Sequence, residues 1–220
     1  MLFANLLEIH DPEPHAAALN MGIDEALLRQ TTQPTLRIYR WVEPAVSFGY
    51  FGKIADAEMV AQGRPMVRRW TGGGIVEHGE DLTYTLIVPR EHPMFRFGAI
   101  ESYRMIHEAI AQILGGEGIL AEIAGAASTP PVASCFAQPV LYDVVLGAAK
   151  LAGAAQRRTR WGMLHQGSIQ SPDSREILRE KLAAAFGEQV RRQELSASIE
   201  EDALRLASEK YGTPAWLRKY

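Results

Sequence analysis

Arg68-Arg69-Trp70-Thr71-Gly72-Gly73-Gly74 sets two guanidinium groups beside three successive residues that lack a Cβ. Backbone bare of side chains can approach a ligand closely and turn its N–H groups toward negative oxygen. Adjacent arginines add charge-assisted donors suited to a phosphate or a carboxylate. The same run also fits an ordinary flexible turn. It is neither a Walker A loop, since no Gly-Lys-Ser/Thr follows, nor a dinucleotide-binding fingerprint. His78, four residues past Gly74, would lie near the same mouth.

Two more segments carry reactive side chains. In Lys150-Leu151-Ala152-Gly153-Ala154-Ala155-Gln156 a lysine opens a strand of small residues. It reads either as a solvated edge device or as a fixed cation that neutralises a developing oxyanion or a substrate carboxylate. Cys135, in Ser134-Cys135-Phe136, is the sole cysteine and follows a proline-bearing loop. A lone cysteine is either a small inert hydrophobe or, with a cation near enough to lower its pKa, a thiolate nucleophile. His165 sits on a strand, where it could satisfy the core or line a site. The six histidines show no ligand-like spacing with acids or the thiol, so no metal is implied.

Composition bounds what surrounds these residues. The chain has 220 residues, 47% hydrophobic and 22% charged, which excludes disordered and fibrous classes and fits one domain spanning 1–220. A net charge of −3, from 23 basic and 26 acidic residues, gives no footprint for nonspecific nucleic-acid binding. One cysteine forbids an internal disulfide and a multi-thiolate metal site. The uncharged stretch Ile123–Tyr142 is broken by prolines and cannot span a membrane as a helix. Met1–Asp11 lacks the basic opening of a secretory signal, and a cytoplasmic protein is expected.

Periodicity then supplies the elements that must position the reactive groups. Helices are expected at Pro14–Gln30, Ile54–Gln62 and Ile100–Leu114, the last with the apolar stripe Ile100, Tyr103, Ile106, Ile110, Leu114. Strands are expected at Leu36–Trp41, Ala45–Tyr50, Met66–Arg69, Ile75–Glu77 and Leu82–Val88. Ala121–Pro131 reads as a loop. Leu141–Leu146, Lys150–Arg157 and Trp161–Ile169 read as a three-strand meander. The segment from about 174 to 220 reads as helical, with Ser174–Phe186 capped by Asp173 or Ser174, and Ile199–Lys210 capped near Ser198. This order favours an α+β domain with a largely antiparallel or mixed central sheet flanked by helices.

Taken together the segments resemble the biotin/lipoate protein ligase and octanoyltransferase superfamily. The resemblance runs through Asn20-Met21-Gly22-Ile23-Asp24-Glu25-Ala26-Leu27, Leu36–Trp41, Ser47-Phe48-Gly49-Tyr50-Phe51, Arg68–His78 and Asp81-Leu82-Thr83-Tyr84-Thr85-Leu86. It continues through Tyr142-Asp143-Val144, Lys150–Arg157 and Leu164–Ile169, covering roughly residues 1–185. The pairing of Arg-Arg…Gly-Gly-Gly…His with Lys-x-x-Gly-x-Ala-Gln is its most specific part. It implies the biotin–lipoate ligase catalytic fold, similar to class II aminoacyl-tRNA synthetases.

Ser134-Cys135-Phe136 upstream of Tyr142-Asp143 and Lys150 resembles the nucleophile segment of the cysteine-dependent octanoyltransferases. Gly74 keeps the third glycine of the ATP-dependent ligases, and Gly52 stands where relatives often have glutamine. The resemblance implies Cys135 and Lys150 as catalytic residues. It implies substrate contacts from Arg69, Thr71, Gly72, Gly73, Gly74, His78, Tyr84, Asp143, Gly153, Ala155, His165 and Gly167. Arg69, His78 and His165 are expected at the pocket mouth, and apolar residues of Leu82–Val88 along an acyl tunnel. Arg157, Arg158 and Arg160 are expected to meet an acidic carrier.

The implied reaction moves an octanoyl or lipoyl group from octanoyl acyl carrier protein, through a Cys135 thioester, to a lysine. That lysine belongs to the lipoyl domain of a 2-oxoacid dehydrogenase E2 or to the glycine-cleavage carrier protein. Lys150 would stabilise charge and help deprotonate the amine. No cofactor is implied for this route, and neither nucleic acid nor membrane as partner. ATP and Mg would be needed if the chain is a ligase acting through lipoyl-adenylate. A carrier-binding family member without turnover is the third reading.

Overall fold

The computed structural model describes residues 1–125, 139–170 and 175–220. In chain order the main elements are β1 (Phe3–His10), α1 (Ala17–Gln30), β2 (Thr35–Tyr39), β3 (Ala45–Phe48), α2 (Ile54–Ala61), β4 (Met66–Arg68), β5 (Ile75–His78), β6 (Leu82–Pro89), α3 (Ala99–Gly116), β7 (Glu122–Ile123), β8 (Val144–Leu146), β9 (Ala149–Arg158), β10 (Gly162–Ile169), α4 (Arg175–Phe186), β11 (Gly187–Glu194), α5 (Ala197–Leu206) and α6 (Pro214–Leu217).

Among the described residues the large sheet has eight strands in the order β11-β1-β2-β6-β10-β9-β8-β7, and a three-stranded sheet has the order β4-β3-β5. The large sheet is mixed: β1 runs parallel to β2 and β11, whereas β2, β6, β10, β9, β8 and β7 alternate antiparallel. The α+β expectation and the meander β8-β9-β10 both hold. On one face α3 and α4 press Ile106, Ile110, Leu182 and Phe186 onto Leu82, Tyr84, Leu86 and Val88 of β6. On the other, α1 and α5 contribute Met21, Leu27, Ala203 and Leu206. Two covered faces explain why every residue of β6 is buried.

The structure departs from the periodicity reading at both chain ends. β1 and β11 form the parallel edge pair, so the segment from 174 to 220 is not wholly helical. β11, Gly-Glu-Gln-Val-Arg-Arg-Gln-Glu, is mostly exposed and charged, the composition of a protected sheet edge, and carries no apolar alternation to betray it. The strand expected at Leu141–Leu146 begins only at Val144, because Tyr142 turns the backbone at φ 70°. β7 occupies Glu122–Ile123 inside the expected loop. The last long helix starts at Ala197, with Ser196 rather than Ser198 as its cap. Asp173 and Ser174 lie outside the described residues.

Helix α1 is docked by charge as well as by apolar contact. Arg37, fully buried on β2, donates to Asp11 at 2.7 Å, to Asp24 at 2.8 Å, and to the side chain and carbonyl of Asn20 at 2.7 and 3.1 Å. Asp24 also accepts from Thr85 and Gln166, both at 2.7 Å. Asp24 of the Asn20–Leu27 motif thus fixes α1 against β2, β6 and β10, while Glu25 accepts from Lys210 and Tyr211 of the C-terminal segment. Arg37→Met leaves two buried carboxylates without their guanidinium. Urea unfolding is expected to show a loss of about 3–5 kcal/mol.

Candidate active site

Between the small sheet and the β9–β10 part of the large sheet lies a partly enclosed cavity. Met21, Tyr39, Trp41, Ser47, Arg69, Val76, His78 and Thr83 line it, together with Lys150, Gly153, Ala154, Ala155, Gln166, Gly167 and Ser168. The predicted residues Arg69, His78, Lys150, Gly153, Ala155 and Gly167 therefore meet at one site.

Lys150 is no solvated edge residue. Its side chain is 4% exposed, and Nζ pairs with Asp143 at 2.7 Å. Asp143, at the foot of β8, is itself fixed by the Tyr103 hydroxyl at 2.6 Å and the Val140 N–H at 2.7 Å. The lysine reaches it only because Gly153 has no side chain: a Cβ there would stand 2.3 Å from Lys150 Cε and 2.5 Å from Nζ. The glycine in Lys-x-x-Gly thus makes room for the ammonium itself. Burial, then the Asp143 carboxylate, raise the Tyr103 hydroxyl well above the usual phenol range, so it stays a donor.

Opposite Lys150 stands a second polar array. Ser47 on β3 and His78 at the end of β5 meet with Oγ 2.6 Å from Nε2, while His78 Nδ1 lies 2.8 Å from Asp81 Oδ2. Asp81 also accepts from Thr83, Ser168 and the Gly79 N–H. Burial alone would raise its carboxyl, but His78 and these hydrogen bonds outweigh it and hold Asp81 below the usual carboxylate range. The His78 ring stacks on Trp41, centroids 4.1 Å apart. Arg69 donates to Ser47 Oγ at 2.7 Å, and to the carbonyls of Gly72 and Gly74 at 3.1 and 2.8 Å.

Other expected residues stand elsewhere. His165, expected at the mouth, and Tyr84, expected to touch substrate, do not line this cavity. They face the α3 side of the sheet, where His165 lies 3.0 Å from the Tyr84 hydroxyl and 3.1 Å from Gln156 Nε2. Alternation along β10 sends Gln166 and Ser168 to the cavity and His165 away from it. Gly72, Gly73 and Gly74 are not among the residues lining this cavity, and Arg69 donates to the carbonyls of Gly72 and Gly74. The run lies so close to β3 that a Cβ on Gly49 would sit 1.9 Å from the Gly73 carbonyl oxygen. Thr71 is turned inward, donating to Gln166 at 2.7 Å.

Of the basic clusters, Arg68 is fully buried and caps backbone carbonyls of Tyr50, Gly52 and Leu217. Arg157 stacks on Trp70 and Tyr50, and Arg158 covers Phe95 and donates to its carbonyl. Only Arg160 of the three expected carrier contacts is exposed. Leu82, Leu86 and Val88 belong to the α3–α4 core, so the apolar cavity wall is Met21, Tyr39, Trp41 and Val76 instead. Ser47, Gln166 and Ser168 were not singled out from sequence. Their only signal is a polar residue recurring on buried strands. Cys135 lies outside the described residues. Among the described residues no group of three or more His, Cys, Asp or Glu could hold a metal, and no helix is long and apolar enough to cross a membrane.

Two expectations follow. Gly153→Ala must push Lys150 off Asp143. Mass-spectrometric mapping of amine acetylation is expected to find Lys150 protected in the parent chain and modified in the variant, with the melting temperature only modestly lowered. His107, wholly buried on α3, donates from Nδ1 to the Tyr142 carbonyl at 2.7 Å, while its Nε2 has no hydrogen-bond partner among the described residues. Burial lowers its pKa to about 4, the Tyr142 carbonyl opposing only in part. The unfolded chain, with histidine near ~6.5, therefore takes up the proton first. Stability present above pH ~6.5 is lost as pH falls toward 4, by roughly 3 kcal/mol for this group. His107→Asn, which keeps a donor to Tyr142, is expected to flatten the pH dependence of urea unfolding across that window.

Known proteins share this arrangement of segments. Residues 16–200 match the lipoyl protein ligase A/B catalytic domain. Octanoyltransferase LipM from Kyrpidia tusciae is 39% identical over 169 residues, 70% of this chain and 62% of that protein, so the chain spans about three fifths of that relative's length. Octanoyltransferase LipM from Exiguobacterium sibiricum is 35% identical over 219 residues, 86% of this chain and 79% of that protein. A bipartite lipoate protein ligase from Thermoplasma acidophilum, solved in a study of that ligase and its E2 lipoyl domain, superposes with a TM-score of 0.73 at 21% identity, covering 99% of this chain and 97% of that one. At that identity the likeness is one of fold. By the span and identity of these matches, the chain belongs to the lipoyl protein ligase A/B catalytic-domain family.

Proposed function

We propose that this chain moves an octanoyl group from acyl carrier protein, through a thioester on Cys135, to a lysine of a lipoyl carrier domain. The observation that carries the reading is the buried Lys150–Asp143 pair on the wall of the cavity. An ammonium held in place before the substrate arrives stabilises negative charge on an acyl oxygen without reorganisation, which is what a tetrahedral intermediate needs. The two LipM relatives carry the name octanoyltransferase, and the lipoyl domain studied with the structural neighbour supplies the class of acceptor.

The steps follow from the residues. The Cys135 thiolate attacks the thioester carbonyl; the bond to the carrier sulfur breaks and the acyl group passes to Cys135. The acceptor amine then attacks, a C–N bond forms and the C–S bond to Cys135 breaks. Met21, Tyr39, Trp41 and Val76 offer apolar contact to an acyl chain. Thioester to amide is downhill, so this route draws on no ATP, whereas a ligase would need ATP and Mg.

Intact mass after exposure to octanoyl acyl carrier protein is expected to show one hydroxylamine-labile octanoyl adduct, absent in Cys135→Ala. Transfer to a lipoyl domain should then proceed without ATP. Transfer that survives Cys135→Ala and requires ATP would replace this reading with adenylate chemistry.

A further inference from the structure

The proposed transfer needs a base. The acceptor lysine arrives as an ammonium and has no lone pair to attack with until it gives up a proton. Lys150, on the same cavity, faces a carboxylate at 2.7 Å in a buried ion pair and is placed as a standing positive charge. His165 faces away from the cavity. Among the described residues lining the cavity, His78 is the imidazole.

We propose that Ser47, His78 and Asp81 form a proton relay that takes this proton: Ser47 Oγ meets the ammonium, His78 is the general base behind it, and Asp81 is the positioning residue. The hydrogen-bond inventory sets the direction of the relay. Asp81, an acceptor for Thr83, Ser168 and the Gly79 N–H, also takes the N–H of His78 Nδ1 at 2.8 Å. That leaves the lone pair of Nε2 toward Ser47 at 2.6 Å. Arg69 can only donate, and it occupies one lone pair of Ser47 Oγ at 2.7 Å. The hydroxyl proton of Ser47 must therefore point at His78, and its second lone pair is left to accept from a donor in the cavity. A hydroxyl, an imidazole and a carboxylate in this order are recognised by geometry rather than chain position. Here Arg69 on the oxygen favours passing a proton over forming a covalent bond.

The step balances. One ammonium proton moves to Ser47 Oγ as the hydroxyl proton moves to His78 Nε2. The freed amine attacks the Cys135 thioester, the C–S bond breaks, and the departing sulfur takes the second amine proton. His78, an imidazolium beside Asp81, then returns its proton to solvent. The charged and titratable groups facing His78 are Asp81 on its own turn, Arg69 beyond Ser47, and Lys150 and Tyr39 across the cavity.

The inference rests on the proposed transfer activity and is tested within it. The single-turnover rate from the octanoylated chain to a lipoyl domain would be followed from neutral to strongly alkaline pH for the parent, His78→Gln and Ser47→Ala. At neutral pH both variants are expected to lose about a hundredfold or more. The deficit should shrink steadily as pH approaches the lysine pKa of ~10.4, where the acceptor needs no base. A deficit constant across pH, or none, overturns the relay. Ser47→Ala removes one oxygen atom from the interior, and a melting temperature close to the parent's would show that it folds. If the parent acquires the octanoyl adduct and transfers it while His78→Gln matches it, the relay alone falls. If the parent never acquires or transfers an acyl group, the functional reading falls and the relay with it.

Discussion

Lys150 is a cation taken almost wholly out of water, and the surroundings of the cavity exist to make that tolerable. A buried ammonium without a partner would cost several kcal/mol, so Asp143 must be in reach and must itself be satisfied. Tyr103 from α3 and the Val140 N–H do the second job; the bare backbone at Gly153 makes room for the first. Tyr142 takes a left-handed conformation for a non-glycine residue, and His107 holds its carbonyl from below. One charge thereby dictates a glycine, an aspartate, a tyrosine, a histidine and a strained backbone turn, drawn from three elements.

The opposite wall follows a different logic. The small sheet brings its own polar side chains, and its glycine-rich loop is tied back to the large sheet through Thr71, Gln166, Asp24 and Arg37 in sequence. Each is buried; Thr71 donates to Gln166, Gln166 donates to Asp24, and Arg37 donates to Asp24 from the other side. Arg69 then connects the loop carbonyls to Ser47, and Ser47 to His78 and Asp81. The Lys150–Asp143 pair and the Ser47–His78–Asp81 array thus line one cavity, and the proposed transfer would use the first for charge stabilisation and the second for proton movement.

Much of this was legible in the order of residues. The meander, the long helix α3 and the Lys-x-x-Gly and Arg-Arg…Gly-Gly-Gly…His segments emerge where expected, because apolar periodicity and glycine punctuation are local signals. Ile100 of the expected α3 stripe is nevertheless exposed, and the buried face starts at Ser102. β11 was not legible, since its sequence is that of a charged surface and only pairing with β1, about 185 positions away, makes it a strand. His165 and Tyr84 face the α3 side instead of this cavity, because motif membership says nothing about which face of a strand a residue occupies; the pleat decides that. Arg68 looked like an anion ligand beside Arg69, yet its partners are the carbonyls of a loop and of the C-terminal segment. Ser47 and Ser168 offer only a polar residue on an otherwise buried strand, and their partners emerge once β3, β5 and β10 are assembled around His78 and Asp81.

The most direct test of the central pairing is a double-mutant cycle on transfer to a lipoyl domain, with Lys150→Met, Asp143→Asn and both together, each checked for a cooperative melt. If Asp143 acts by holding Lys150 in the cavity, the double variant will be no slower than Lys150→Met alone, a strong positive coupling. Additive losses, with Asp143→Asn slowing the chain equally whether or not Lys150 is present, would contradict it.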